Sequence, residues 1–162
     1  NKADARTVIQ TKLYDPLESM FPIYQTFSQR FVELVYTKAD NPINVKTKYA
    51  INKLNQYFSS NELFPDDGSV EHIYPESEGD IALNIGNLIL LEIKINGDAD
   101  NLPYLDKIVL YKRSQYPWIQ KFLQQYDSWD PSMIQNRATD LSRIYYENIL
   151  GRKIEEPQLT TV

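Results

Sequence analysis

Apolar side chains recur at spacings of three and four through Tyr24, Phe27, Phe31 and Leu34, which predicts a helix from about Phe21 to Val35 or Tyr36 with one buried stripe. Upstream, Asp15-Pro16 offers an N-cap and a first-turn proline, and Pro22 soon interrupts that pattern. The three-and-four periodicity returns after the break at "KADNPIN". It predicts a second helix from about Val45 to Phe58, with Ala50, Leu54, Tyr57 and Phe58 on or near one face. "SSNELFPDDGS" then reads as a connector.

From Ser69 the pattern changes. A short strand is expected from Ser69 to Tyr74 and a longer one from Ile85 to Ile93, joined by "PESEGDIALN", which is too long for a tight hairpin turn. "NGDADN" reads as a turn leading into a helix over "NLPYLDKIVLYKRS", with Asn101 as its N-cap and Tyr104, Ile108 and Tyr111 along one side. A short helix is expected over "WIQKFLQQY". A last one is bounded by Asp130 as N-cap, Pro131 at the first position and Gly151 at the stop. The tail after Gly151 has little to bury and is expected to fray. These elements predict an α+β fold, mainly helical around two strands.

The chain has 162 residues, enough for one domain with a real core. It contains no cysteine, which removes disulfides and thiolate metal sites, so any metal would be held by oxygen or by the single histidine, His72. No apolar run approaches the roughly 18–20 residues of a membrane span, and "NKADARTVIQ" lacks a signal-peptide core, so the sequence reads as soluble and unexported. A first residue of Asn rather than Met suggests a piece of a longer protein. The net charge of −5 argues against nucleic-acid binding through bulk electrostatics, unless another domain supplies the grip or basic residues cluster locally. Lys107, Lys112, Arg113 and Lys121 do lie close together in sequence.

Strand, polar loop, strand, then a turn into a helix is the order of a ββα-metal nuclease site. Glu71 and His72 fall on the first strand, Asn87 opens the second and Asn96 stands just before the helix. "VEHIYP", "IGNLILL", an asparagine nine residues after Asn87 and then "K…YKRS" resemble the HNH-type nuclease domain at the C-terminal end of GmrSD-type restriction proteins. The resemblance runs from about Lys46 to Leu150, including "KYAINKLNQYF" and the "W…I…R…L" pattern of the last helix.

It implies a nuclease domain over residues 46–150, a helical segment over 1–45 that packs on it or meets a missing domain, and a tail over 151–162. It also implies His72 as general base, Asn87 as a loop brace, Glu71 and Asn96 at metal-ligand positions, and Lys107 at a basic position on the helix. Glu76 departs from the glutamine expected after Pro75.

The chemistry is consistent with these roles. Histidine is largely neutral at cellular pH and still basic. A carboxylate and an amide oxygen make a sparse, hard site that favours Mg²⁺ or Mn²⁺ over zinc. Lys107 or Arg113 would contact substrate phosphate, whereas Arg137 is expected to pair with a nearby carboxylate.

The implied function is metal-dependent hydrolysis of DNA in bacterial restriction of foreign or base-modified DNA. The implied location is the bacterial cytoplasm, with a nucleotide-hydrolysing domain or subunit as partner and no membrane. Alternatives are a non-catalytic interaction or nucleic-acid-binding module on the same scaffold, and a ribonuclease or toxin-like nuclease. One geometric condition is attached: adjacent strand residues point to opposite faces, so Glu71 and His72 serve one site only if the strand ends or bends there.

Overall fold

The structure is a computed structural model that describes residues 2–60 and 67–155. Most of the connector "SSNELFPDDGS" and the end of the tail therefore lie outside the described residues. The elements run α1 (Lys2–Ile9), a π-helical turn (Gln10–Tyr14), α2 (Asp15–Met20), α3 (Tyr24–Phe31), α4 (Asn44–Phe58), β1 (Ser69–His72), three 3-10 turns (Glu76–Glu78, Asp80–Leu83, Ile85–Asn87) and β2 (Leu88–Leu91). They continue with α5 (Ile93–Ala99), α6 (Tyr104–Tyr111), α7 (Pro117–Gln125), α8 (Pro131–Ile144) and a second π-helical turn (Tyr145–Ile149). The fold is mainly helical α+β, as the patterning predicts.

The two strands are antiparallel, with Ser69 opposite Leu91, Val70 opposite Leu90, Glu71 opposite Ile89 and His72 opposite Leu88. Both β1 and β2 are shorter than their apolar runs suggest. β2 is buried along its whole length and is packed by α4 and α7. At its start, Gly86 lies so close to α8 that a Cβ there would sit 2.0 Å from the Ile134 carbonyl oxygen. The residues before Leu88 therefore coil into a 3-10 turn under α8 rather than extending the strand. Gly86→Ala is expected to cost at least about 3 kcal/mol, because backbone rather than a movable side-chain tip must give way. A denaturant midpoint equal to the parent's would count against this packing.

Several boundaries differ from the sequence reading for local reasons. Asp15 does not cap a new helix. Pro16 has no N–H to give, and the chain stays helical by widening into a π turn in which the Asp15 N–H bonds to the Gln10 carbonyl. "IKINGDA" is helical, where a strand end and a turn were expected. α6 begins three residues after Asn101, because Pro103 holds φ near −60° and the residue before a proline is pushed to extended backbone. At α8 the reading and the structure agree: Asp130 accepts from the Ser132 N–H, Pro131 is the first helical residue, and Gly151 has φ +66° beyond the helix end.

The core joins both ends of the chain. Phe31 from α3 is buried against Tyr145, with ring centres 5.3 Å apart, and Ser28 is 2.8 Å from the Ser142 hydroxyl of α8. Next to α3, residues 34–36 run antiparallel beside residues 83–85. Ile85 N–H donates to Leu34 at 2.8 Å, Tyr36 N–H donates to Leu83 at 2.9 Å, and Val35 and Asn84 form a bridge. Among the described residues no helix is long and apolar enough to cross a membrane.

Candidate active site

His72 is the last residue of β1 and is 2% exposed. Its Nε2 lies 2.9 Å from the Tyr36 carbonyl oxygen. A carbonyl can only accept, so Nε2 carries the proton and Nδ1 keeps a lone pair in the neutral ring. Nδ1 is buried, has no hydrogen-bond partner among the described residues, and sits 3.9 Å from Glu76 Oε2, too far for a hydrogen bond. Burial lowers the pKa of His72; the bond to Tyr36 and the Glu76 charge work the other way.

Glu71, the residue before, is 1% exposed, and its Oε1 accepts from Lys107 Nζ at 2.7 Å and from the Tyr111 hydroxyl at 2.7 Å. Lys107 is fully buried and also donates to the His72 carbonyl at 2.5 Å. Burial raises the pKa of Glu71 and lowers that of Lys107, and each charge opposes the shift in its partner. The two acidic and imidazole side chains thus take different partners: Glu71 meets α6, whereas His72 meets the residue-36 segment. The strand ends at His72, the place where the sequence required an ending if the pair was to serve one site.

Asn87 uses every polar atom it has. Oδ1 accepts from Tyr74 N–H at 2.7 Å and Trp129 Nε1 at 2.9 Å, and Nδ2 donates to the carbonyls of Tyr74 and Ala82, each at 2.7 Å. It ties the residues after His72 to the start of β2. Asn96, on α5, donates from Nδ2 to Ser69 Oγ at 2.8 Å and to the Val70 carbonyl at 3.0 Å. Its helix is thereby fixed to β1 just before Glu71.

Three ligand-capable atoms near β1 take no hydrogen bond from a described residue: His72 Nδ1, Glu71 Oε2 and Asn96 Oδ1. By type, the two oxygens are of the kind a hard divalent cation takes beside water and phosphate, while the nitrogen keeps a lone pair able to accept a proton. The Lys107 ammonium beside Glu71 works against such binding. No group of three or more histidine, aspartate or glutamate side chains placed to hold a metal ion occurs among the described residues.

The basic residues separate. Lys107, expected on phosphate, has no exposed surface, while Arg113 is exposed just beyond α6. Arg137 does not pair with a carboxylate among the described residues. It is 3% exposed, donates from Nη1 to the Gly86 and Leu88 carbonyls at 2.6 and 2.9 Å, and lies against the rings of Trp118, Phe122 and Trp129. Burial accordingly lowers its pKa to about 10.

Residues the motif does not contain complete the site. Glu76 accepts from the Thr37 hydroxyl at 2.7 Å and from the Lys38 N–H at 3.2 and 3.3 Å, one to each oxygen, so it fastens the segment whose carbonyl holds His72. These partners lie more than thirty positions upstream of His72 and have no periodic or compositional signature.

The family described as GmrSD restriction endonucleases, C-terminal domain, matches residues 21–144. The chain belongs to this family. No curated protein and no solved structure matches. The match reaches upstream of the motif to Phe21, so α3 and the residue 34–36 edge fall within the GmrSD C-terminal domain together with β1, β2 and α8. Membership ties the domain to restriction endonucleases.

Proposed function

We propose that this GmrSD C-terminal domain is an HNH-type, metal-dependent endonuclease that hydrolyses phosphodiester bonds in DNA, with His72 as its general base. The reading rests on the imidazole of His72: a backbone carbonyl fixes its tautomer and leaves Nδ1 unpartnered at the end of β1. In the step envisaged, a water gives its proton to Nδ1 while its oxygen bonds to phosphorus and the P–O bond to the leaving oxygen breaks. Glu71 and Asn96 would hold Mg²⁺ or Mn²⁺, which when bound offsets the negative charge developing on the phosphoryl oxygens. Asn87 keeps the loop after His72 in place. The cellular setting that goes with this reading is restriction of foreign or base-modified DNA in the bacterial cytoplasm, together with a nucleotide-hydrolysing domain or subunit.

A second reading is a non-catalytic interaction module. The buried Glu71–Lys107 pair and the net charge of −5 favour it. Incubating plain and base-modified plasmid DNA, and RNA, with Mg²⁺, Mn²⁺ or EDTA separates the two. The nuclease reading expects DNA cleavage that EDTA stops. Cleavage confined to RNA would move the substrate class, and no cleavage of either nucleic acid would leave the interaction module.

The base also predicts a pH profile. Because burial holds the pKa of His72 below its ordinary value, the imidazole stays neutral at pH 7, and the acid limb of the rate falls below about 6.5. Glu76→Gln removes the charge that opposes this shift while keeping an acceptor for Thr37, so the acid limb should move to lower pH. An unmoved or upward-shifted limb would show that Glu76 does not act on His72.

A further inference from the structure

If this domain handles DNA, an exposed basic side chain next to His72 is suited to meet the phosphate backbone, and the buried Lys107 has no exposed surface to do so. Lys38 does. It follows the Tyr36 carbonyl that holds His72 by two positions, its N–H is clamped by both oxygens of Glu76, and its side chain is 45% exposed. Glu76, which holds the Lys38 N–H, has its Oε2 3.9 Å from His72 Nδ1, so Lys38 lies beside the same cluster. Its Nζ is 2.6 Å from Asp100 Oδ1, whose side chain is 61% exposed.

Asp100 ends α5, the helix that carries Asn96, and it holds φ +30° and ψ −117°, a conformation that L residues rarely adopt. An exposed ion pair of this kind contributes little net stability, so a competing anion exchanges into it readily.

We propose that Lys38 is the phosphate-binding cation of this site and that the Asp100 carboxylate occupies it in the free protein, to be displaced by a DNA phosphodiester. The inference rests on the nuclease reading and adds to it the residue that contacts phosphate and the residue that competes for it. Before substrate arrives, the pair bridges the residue 36–38 segment to the end of α5. When a phosphate replaces the carboxylate, the bridge opens and the helix carrying Asn96 is released from that tie.

The test is binding of the 162-residue chain to a short fluorescent DNA duplex in EDTA over a salt series, so that affinity is read without cleavage. Lys38→Ala is expected to weaken binding about five- to ten-fold near 0.1 M salt and to reduce the slope of log K against log salt by about 0.9. Asp100→Asn, which keeps the shape of the side chain and removes its charge, is expected to tighten binding about two- to five-fold. That gain should shrink sharply when Lys38→Ala is also present, because the competitor matters only while its lysine is there.

Unchanged affinity and slope in Lys38→Ala would overturn the assignment of Lys38. An equal gain from Asp100→Asn with and without Lys38 would overturn the competition and leave only a through-space charge effect. If the unmutated chain binds no duplex even at low salt, the nuclease reading fails and this inference falls with it.

Discussion

Lys107→Met is expected to lower the folding stability of the domain by about 3–5 kcal/mol at neutral pH, a large share of what a domain of this size possesses. The substitution keeps the volume and removes the ammonium, so Glu71, 1% exposed, is left with the Tyr111 hydroxyl as its remaining donor. An ionised carboxylate in that position would be desolvated without a counter-charge. It escapes by taking a proton, which places its folded pKa above its unfolded one.

Stability from such a group is present below the unfolded carboxylate pKa and is lost as pH rises through the folded pKa. The deficit of the variant should therefore be largest at neutral pH and shrink toward about pH 4. Adding Glu71→Gln should restore most of the loss at pH 7. Urea titrations of the three proteins at two pH values check this, and a single-variant deficit under about 1 kcal/mol at neutral pH would mean that the pair behaves as though solvated.

His72→Ala is expected to reduce the DNA cleavage rate by about 10²- to 10⁴-fold, the usual contribution of a positioned general base. The loss should appear in the rate of the chemical step, with duplex affinity in EDTA little changed, since Nδ1 is assigned to the water and not to the phosphate. The truncation also leaves the Tyr36 carbonyl without its donor, at a cost of about 1–3 kcal/mol, so thermal unfolding must confirm that the variant is folded at the assay temperature. His72→Asn guards against a purely structural effect by keeping a hydrogen-bond donor at the same position. Cleavage by both variants within a few-fold of the parent would remove His72 as the base.

How far the sequence carried the fold depended on whether each element was set locally. α8 was legible because Asp130, Pro131 and Gly151 act through neighbours within a few residues. α4 and the presence of α3 were legible because one apolar stripe suffices to define a helix. The end of α3 was not, since the stripe runs on to Leu34 and predicted a helix to Val35 or Tyr36, whereas the chain leaves the helix after Phe31 and pairs residues 34–36 with 83–85. The start of β2 was not, since Gly86 coils under α8 to suit a carbonyl nearly fifty residues away, and Asn96-Gly97 carries turn chemistry that β1 overrides by holding the Asn96 amide.

That Glu71, His72 and Asn87 lie close in space was legible because they belong to one short strand–loop–strand unit, and Asn96 joins them from α5 through its bonds to Ser69 and Val70. The roles of the charged helix residues could not be read from residue type. Lys107 and Arg137 are ordinary surface residues by type, and only the tertiary fold gives one a buried carboxylate and the other a pair of backbone carbonyls.

The antiparallel edge made by residues 34–36 sets a limit on trimming. A chain cut to begin at residue 46 would keep Glu71, His72, Asn87 and Asn96. It would lose the Tyr36 carbonyl, the Thr37 and Lys38 partners of Glu76, and the strand-like cover over residues 83–85. Its imidazole would be free to turn and to exchange tautomers. The smallest piece that keeps the His72 ring oriented is therefore larger than the motif and must reach back at least to Leu34.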